Sequence, residues 1–169
     1  MRKNVKKQLA LRVLSTAALM AMVSSIATAA FAAEYDVTKG SVDILAEGGK
    51  QYITQWEDKD KDTCVKDGKG KEIRDREDSD ITLTTKDETT GEIKTTSNTV
   101  TIDAKEGNTA NVTLDNVHIE VDTGKAKSGA IEIKGDGNTK LELNGDNTVM
   151  VKNGWEEEHA AIEKADKYG

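Results

Sequence analysis

Proline is absent from the 169 residues, aromatic side chains make up 4% of them, and Cys64 is the single cysteine. One cysteine excludes an internal disulfide framework, so cohesion has to come from strand pairing and packing. With so few aromatics, a globule of this size lacks the large side chains that usually fill a core, whereas stacked short strands fill a narrow one with Val, Ile and Leu. Signatures of chemistry are missing too. There is no H-E-x-x-H, no G-x-S-x-G and no cysteine-histidine cluster, and His118 and His159 are far from Cys64 in sequence.

What is present begins with a leader. Residues 1–32 carry a basic start (Arg2, Lys3, Lys6, Lys7, Arg12), an apolar stretch from Val13 to Ala30, and Ala30 and Ala32 flanking Phe31. This is the pattern of a secretory signal peptide cleaved before Ala33, and Ser15, Thr16, Ser24, Ser25 and Thr28 make the stretch too polar for a membrane anchor. The expected location is therefore secreted or on the cell surface, with no membrane insertion after cleavage. Loss of five basic residues takes the 24 Lys and Arg to 19 against 31 Asp and Glu, a net charge of −12. Such a surface repels nucleic acid and anionic lipid and attracts divalent cations.

The C-terminal half repeats. V-T-L-D-N-V-H-I-E-V at 112–121 returns as L-E-L-N-G-D-N-T-V-M-V at 141–151, and G-A-I-E at 129–132 returns as A-A-I-E at 160–163, a period of about 30 residues. Each period holds three short alternating strands separated by Gly, Asn and Asp, which predicts an all-β fold of the right-handed parallel β-helix class. Stacking of like on like sets Leu114 over Leu143 and Ile131 over Ile162. The predicted inward set is Val112, Leu114, Val117, Ile119, Val121, Ile131, Ile133, Leu141, Leu143, Val149, Val151 and Ile162. The chain stops soon after the third strand of a period, which reads as a β-helix truncated at its C-terminus, with an open edge prone to end-to-end self-association.

Four regions follow: the leader 1–32, N-terminal strands or cap over 33–56, a charged solvated loop over 57–80, and β-helix coils over 81–169. The cap region reads as a hairpin turned by Gly48 and Gly49, or as the first edge of the solenoid. Strands are expected at 81–85, 92–96 and 99–103 before the repeat proper. Within the loop, D-K-D-K-D at 58–62 has the alternate carboxylates of a calcium loop, but Thr63 and Lys69 occupy the places where an EF-hand needs Gly and Glu.

The corner between the first two strands of each period is the stronger candidate metal site. Asp115 and Asn116 fall against Asn144 and Asp146 of the next period, about 4.8 Å away along the stack, which suits an oxygen-ligated Ca2+. The same residue types also make left-handed turns, so turn-making is the competing reading. Trp155, following Asn153-Gly154, is the candidate carbohydrate-binding ring; its alternative is packing over a strand end.

At V-T-L-D-N-V-H-I and S-G-A-I-E-I-K-G-D-G-N-T-K-L-E-L-N-G-D-N-T-V, with L-N-G-D-N-T at 143–148 the most specific piece, the chain resembles the clostridial carbohydrate-binding β-helix surface proteins that take acidic plant polysaccharide such as polygalacturonate. The matching span is about 98–163. The resemblance implies an exported, non-catalytic glycan-binding module with Asp115 and Asp146 among calcium ligands, and an acidic plant or cell-wall glycan as partner. A structural spacer or protein-binding adhesin is the alternative, and a polysaccharide-degrading enzyme a third.

Overall fold

The computed structural model describes residues 33–122, 128–152 and 159–165. The leader over 1–32, Trp155 and the final residues 166–169 lie outside the described residues.

Apolar alternation becomes extended structure almost everywhere it occurs, since period-two side chains present one apolar face to a core. The strands are β1 (Glu34–Asp36), β2 (Ser41–Glu47), β3 (Lys50–Trp56), β4 (Arg76–Glu77), β5 (Ile81–Thr84), β6 (Thr95–Thr96), β7 (Val100–Ala104), β8 (Thr109–Asp115), β9 (His118–Asp122), β10 (Ile131–Lys134), β11 (Asn138–Asn144), β12 (Thr148–Lys152) and β13 (Ile162–Lys164), with one 3-10 turn at Val37–Lys39. The described chain is all-β, and its sheets are parallel apart from one antiparallel edge. A first sheet has the order β1-β5-β8-β11, a second β6-β9-β12, and a third β13-β10-β7-β2-β3-β4. Consecutive strands such as β8, β9 and β10 therefore enter three different sheets, and the next three strands join the same sheets in the same order.

The registers make side-chain ladders. Tyr35, Leu83, Leu114 and Leu143 are in line across the first sheet. Val42, Val100, Ile131 and Ile162 are in line across the third, beside a second ladder of Ile44, Ile102, Ile133 and Lys164. Leu83, Leu114, Ile102 and Ile131 are fully buried, each worth about 1.5–3 kcal/mol of apolar burial. Expected inward residues Val112, Val117, Ile119 and Val121 are in the same core, with Leu141 and Val149 packed against it in part. Leu143 and Ile162 occupy the predicted rungs yet are 65% and 42% exposed, because β11 and β13 have a neighbouring strand on one side only.

Two segments differ from the sequence expectation. The strand expected at 92–96 shrinks to β6, because Lys86 bridges Ile93 in antiparallel fashion around a turn in which the Asp87 carboxylate accepts from Thr89 N–H and Thr90 N–H, each at 2.9 Å. The 57–80 segment, expected to be a solvated loop, keeps its charges outward but folds back on β3. Bridges join Trp56 to Cys64 and Lys66 to Glu72, and Cys64, Val65 and Ile73 are buried. The cause is a set of apolar side chains too sparse to show periodicity, helped by the Arg76–Asp67 ion pair at 2.7 Å.

The region 33–56 is hairpin and sheet edge together. β2 pairs parallel to β7 on one side and antiparallel to β3 on the other. The hairpin turn has φ of +59° at Gly48 and +76° at Gly49, both left-handed, as a two-residue primed turn demands.

Candidate functional site

The corner carrying Asp115, Asn116, Asn144 and Asp146 is brought together as the repeat predicts, since β8 and β11 pair Asp115 with Asn144. Asn116 has φ +54°. Its amide then serves as the joint between periods. Nδ2 donates to Asp115 Oδ1 at 2.7 Å, while Oδ1 accepts the Asp146 N–H at 3.0 Å. Asn144 O accepts from the Asn116 N–H at 3.1 Å and from Asn147 Nδ2 at 2.8 Å. Asn147 Oδ1 in turn accepts the Val117 N–H at 2.9 Å. Thr85 extends the column: its hydroxyl donates to Asn116 O at 3.0 Å and accepts the His118 N–H at 2.9 Å.

Two of the corner's side-chain oxygens, Asp115 Oδ1 and Asn116 Oδ1, are engaged with neighbouring donors, and Asp146 Oδ2 lies 3.9 Å from His118 Nε2. Among the described residues no group of three or more His, Cys, Asp or Glu side chains is placed to hold a metal ion. Asn116 and Asn147 act as turn-makers here, through side-chain bonds to nearby backbone.

A different place collects functional groups. Where β9 and β12 end and the chain turns toward β7, a cleft of about 510 Å³ opens under the 58–61 turn. Its walls include Ser97, Asn98 and Thr99, the β9 residues Glu120 and Asp122, and Lys152 of β12, with Asp58, Lys59 and Lys61 above. The overhang is fixed from below. Asp58 carboxylate accepts from Asp62 N–H at 3.1 Å and Thr63 N–H at 2.9 Å, and Lys61 ion-pairs with Asp43 at 2.6 Å. Backbone hydrogen bonds from Asp62, foremost, and from Thr63 hold the Asp58 carboxyl below the ordinary range. On the floor Lys152 pairs with Glu120, and Asn98 Nδ2 donates to Val37 O at 2.8 Å, which fixes that corner to the first strands. The lining thus offers hydroxyls, an amide, three carboxylates and three ammonium groups, of balanced charge.

Of these groups the sequence singles out only those of D-K-D-K-D at 58–62, and as a calcium-loop pattern rather than as part of a cleft. Glu120 and Asp122 alternate with Ile119 and Val121 and read as the solvent face of a strand, and nothing in the 57–80 segment announces that it would fold over them. Only the repeat gives a trace, since β9 and β12 set Asp122 beside Lys152 in register.

Other candidates are structural. Cys64 is buried beside β3, and burial pushes its thiol up, which suppresses the thiolate that a nucleophile needs. The Trp56 ring has Arg74 at 5.2 Å over its face, and its Nε1 donates to Asp43 Oδ2 at 2.8 Å. That face is taken. Glu163 accepts from the Gly129 N–H at 2.9 Å and lies 3.0 Å from His159 Nδ1. Burial works against its charge, but the Gly129 hydrogen bond and His159 together hold the carboxyl below the ordinary range.

Comparison of the chain with protein-family models, with curated proteins and with solved structures finds no match.

Proposed function

We propose that the chain is a non-catalytic carbohydrate-binding module of an exported bacterial surface protein, built as a right-handed parallel β-helix, with the cleft under the 58–61 turn as its glycan site. The observation that carries this reading is that cleft: about 510 Å³, concave, and walled by hydroxyl, amide, carboxylate and ammonium groups, with Glu120, Asp122 and Lys152 borne on strands. Sugars are bound by such groups, because each hydroxyl both donates and accepts, and strand-borne side chains hold their partners in place at little ordering cost.

The balanced lining charge favours a neutral glycan over a polyanion, whose carboxylates would meet Asp58, Glu120 and Asp122 as well as the lysines. This reading does not draw on calcium bridging at the Asp115 corner, where Asp115 Oδ1 and Asn116 Oδ1 already accept hydrogen bonds. The right-handed β-helix part of this reading is supported by the order in which the three sheets gain strands and by the strong preference of parallel crossovers for that hand.

The spacer or adhesin reading has one observation in its favour: among the described residues, no aromatic ring lines the cleft. A pull-down on cellulose and on polygalacturonate, with and without chelator, separates these. Retention on the neutral polymer, unaffected by chelator, supports the proposal. Retention on polygalacturonate alone and only without chelator would restore the calcium reading, and a folded chain that ignores both polymers would favour the spacer.

A further inference from the structure

We propose that the hairpin over 64–73 is a second interaction surface, which docks a flexible anionic polysaccharide through Lys66, Lys69 and Lys71.

Positive charge is concentrated on this hairpin and the residues that follow it. Residues 64–76 hold five basic and three acidic side chains, which leaves 14 of the 19 basic and 28 of the 31 acidic residues to the rest of the chain beyond the leader. A patch of net charge +2 thus stands on a body of −14. The patch is built on a fixed frame. Val65 N–H donates to Gln55 O and Gln55 N–H to Ile73 O, each at 2.9 Å, and Ile73 N–H donates to Val65 O at 2.8 Å, which ties both arms of the hairpin to β3. At the tip Gly70 N–H donates to Asp67 O at 2.8 Å. A methyl group added at Gly68 or Gly70 would meet nothing within 4 Å, so the tip stands clear of the fold.

The carboxylates of this stretch have partners of their own. Asp67 accepts from the Lys69 and Lys71 N–H groups, each at 2.9 Å, and pairs with Arg76 at 2.7 Å. Glu72 lies 3.6 Å from Arg74, and Asp75 accepts from the Thr54 hydroxyl at 3.3 Å. Both arginines are therefore committed, Arg74 also through the Trp56 ring. Lys66, Lys69 and Lys71 are exposed, and among the described residues none of the three has an ion-pair partner. The hairpin offers three uncommitted ammonium groups within six residues.

The partner follows from the physics of such a patch. An exposed ion pair strengthens binding by only about two- to fivefold, so a single small anion is held weakly. A chain of anions that meets all three lysines gains from each contact at once. At about 0.15 M salt the screening length is about 8 Å, and a slender strand at the tip feels the lysines more than the acidic body behind them. An anionic membrane or a stiff nucleic-acid duplex spreads its charge over that body as well and is repelled. A flexible polysaccharide with repeated carboxylate or phosphate groups is the anion that fits, since lysine takes either as a point charge. None of these lysines lines the cleft, so the two surfaces are tested separately.

The test is fluorescence anisotropy of labelled polygalacturonate and labelled poly(glycerol phosphate), with chelator and at about 0.15 M salt. The purified chain is compared with K66Q/K69Q/K71Q and with K39Q/K86Q/K140Q, which removes the same charge from exposed lysines elsewhere, circular dichroism confirming the fold of each. The parent chain is expected to bind at least one polymer, the preferred one identifying the anion as carboxylate or phosphate, with affinity that falls as salt rises. The hairpin variant should bind at least about tenfold more weakly and the control variant as the parent does. Binding to neither polymer, equal loss in both variants, no loss in the hairpin variant, or tighter binding to anionic phospholipid vesicles or duplex DNA than to either polymer would each overturn the proposal.

Discussion

The side-chain amide of Gln51 and the main chain of Asn111 exchange two hydrogen bonds: Nε2 donates to Asn111 O at 3.0 Å, and the Asn111 N–H donates to Oε1 at 2.7 Å. β5 begins its pairing with β8 at Val112, so Asn111 has no strand beside it there. The buried Gln51 amide takes the place of a missing strand residue. Gln51→Ala leaves a main-chain donor and acceptor without partners and should lower stability by about 2–4 kcal/mol, read as a shift of the urea midpoint. An unchanged midpoint would show that water replaces the amide.

Asn116 holds the left-handed conformation at the joint between two periods. Asn116→Gly keeps that conformation and loses the side-chain bonds. Asn116→Val adds backbone strain of about 1–3 kcal/mol and should melt clearly below the Gly variant. Equal melting temperatures would mean that the joint's hydrogen bonds alone matter.

Position within one ladder sets the cost of truncation. Leu114→Ala empties a fully buried rung and should cost about 2–5 kcal/mol. Leu143→Ala, one rung on but mostly exposed, should cost under about 1 kcal/mol in the monomer. Denaturant unfolding at low protein concentration compares them.

Acid should destabilise the fold. The Asp87 carboxyl is held well below its usual range, chiefly by the Lys94 hydrogen bond and then by the Thr90 and Thr89 N–H groups. Asp67 is lowered by the Lys71 N–H and by Arg76, and Glu163 is lowered despite its burial. Folded values below unfolded ones mean that the stabilisation is complete above about pH 4 and is lost as pH falls through the folded values. Urea midpoints should be flat from pH 7 to about pH 5 and fall below about pH 4; a midpoint that rises on acidification would contradict these pairings.

The repeat was legible because its signal is carried by large apolar residues at fixed spacing. Leu114 over Leu143 and Ile131 over Ile162 are the observed registers. Exposure was not legible, since Leu143 has the same neighbours in sequence whether or not another strand covers it. The 57–80 fold was hidden because Cys64, Val65 and Ile73 are too few to show a period among so many charges. The register that brings the corner residues together was legible, but Asp, Asn and Gly serve turns and ions alike, and the bonds around Asn116 were not legible. The cleft was invisible because it depends on a distant turn lying over Glu120 and Asp122.

The most direct measurement is calorimetric titration of neutral and uronic-acid oligosaccharides into the chain and into the Glu120→Ala/Lys152→Ala double variant, which removes an ion pair from the cleft floor. The account predicts binding of a neutral oligosaccharide by the parent chain, insensitive to chelator, and at least about tenfold weaker binding by an equally folded double variant. A parent chain that binds no oligosaccharide, or a double variant that binds as well as the parent, would contradict it.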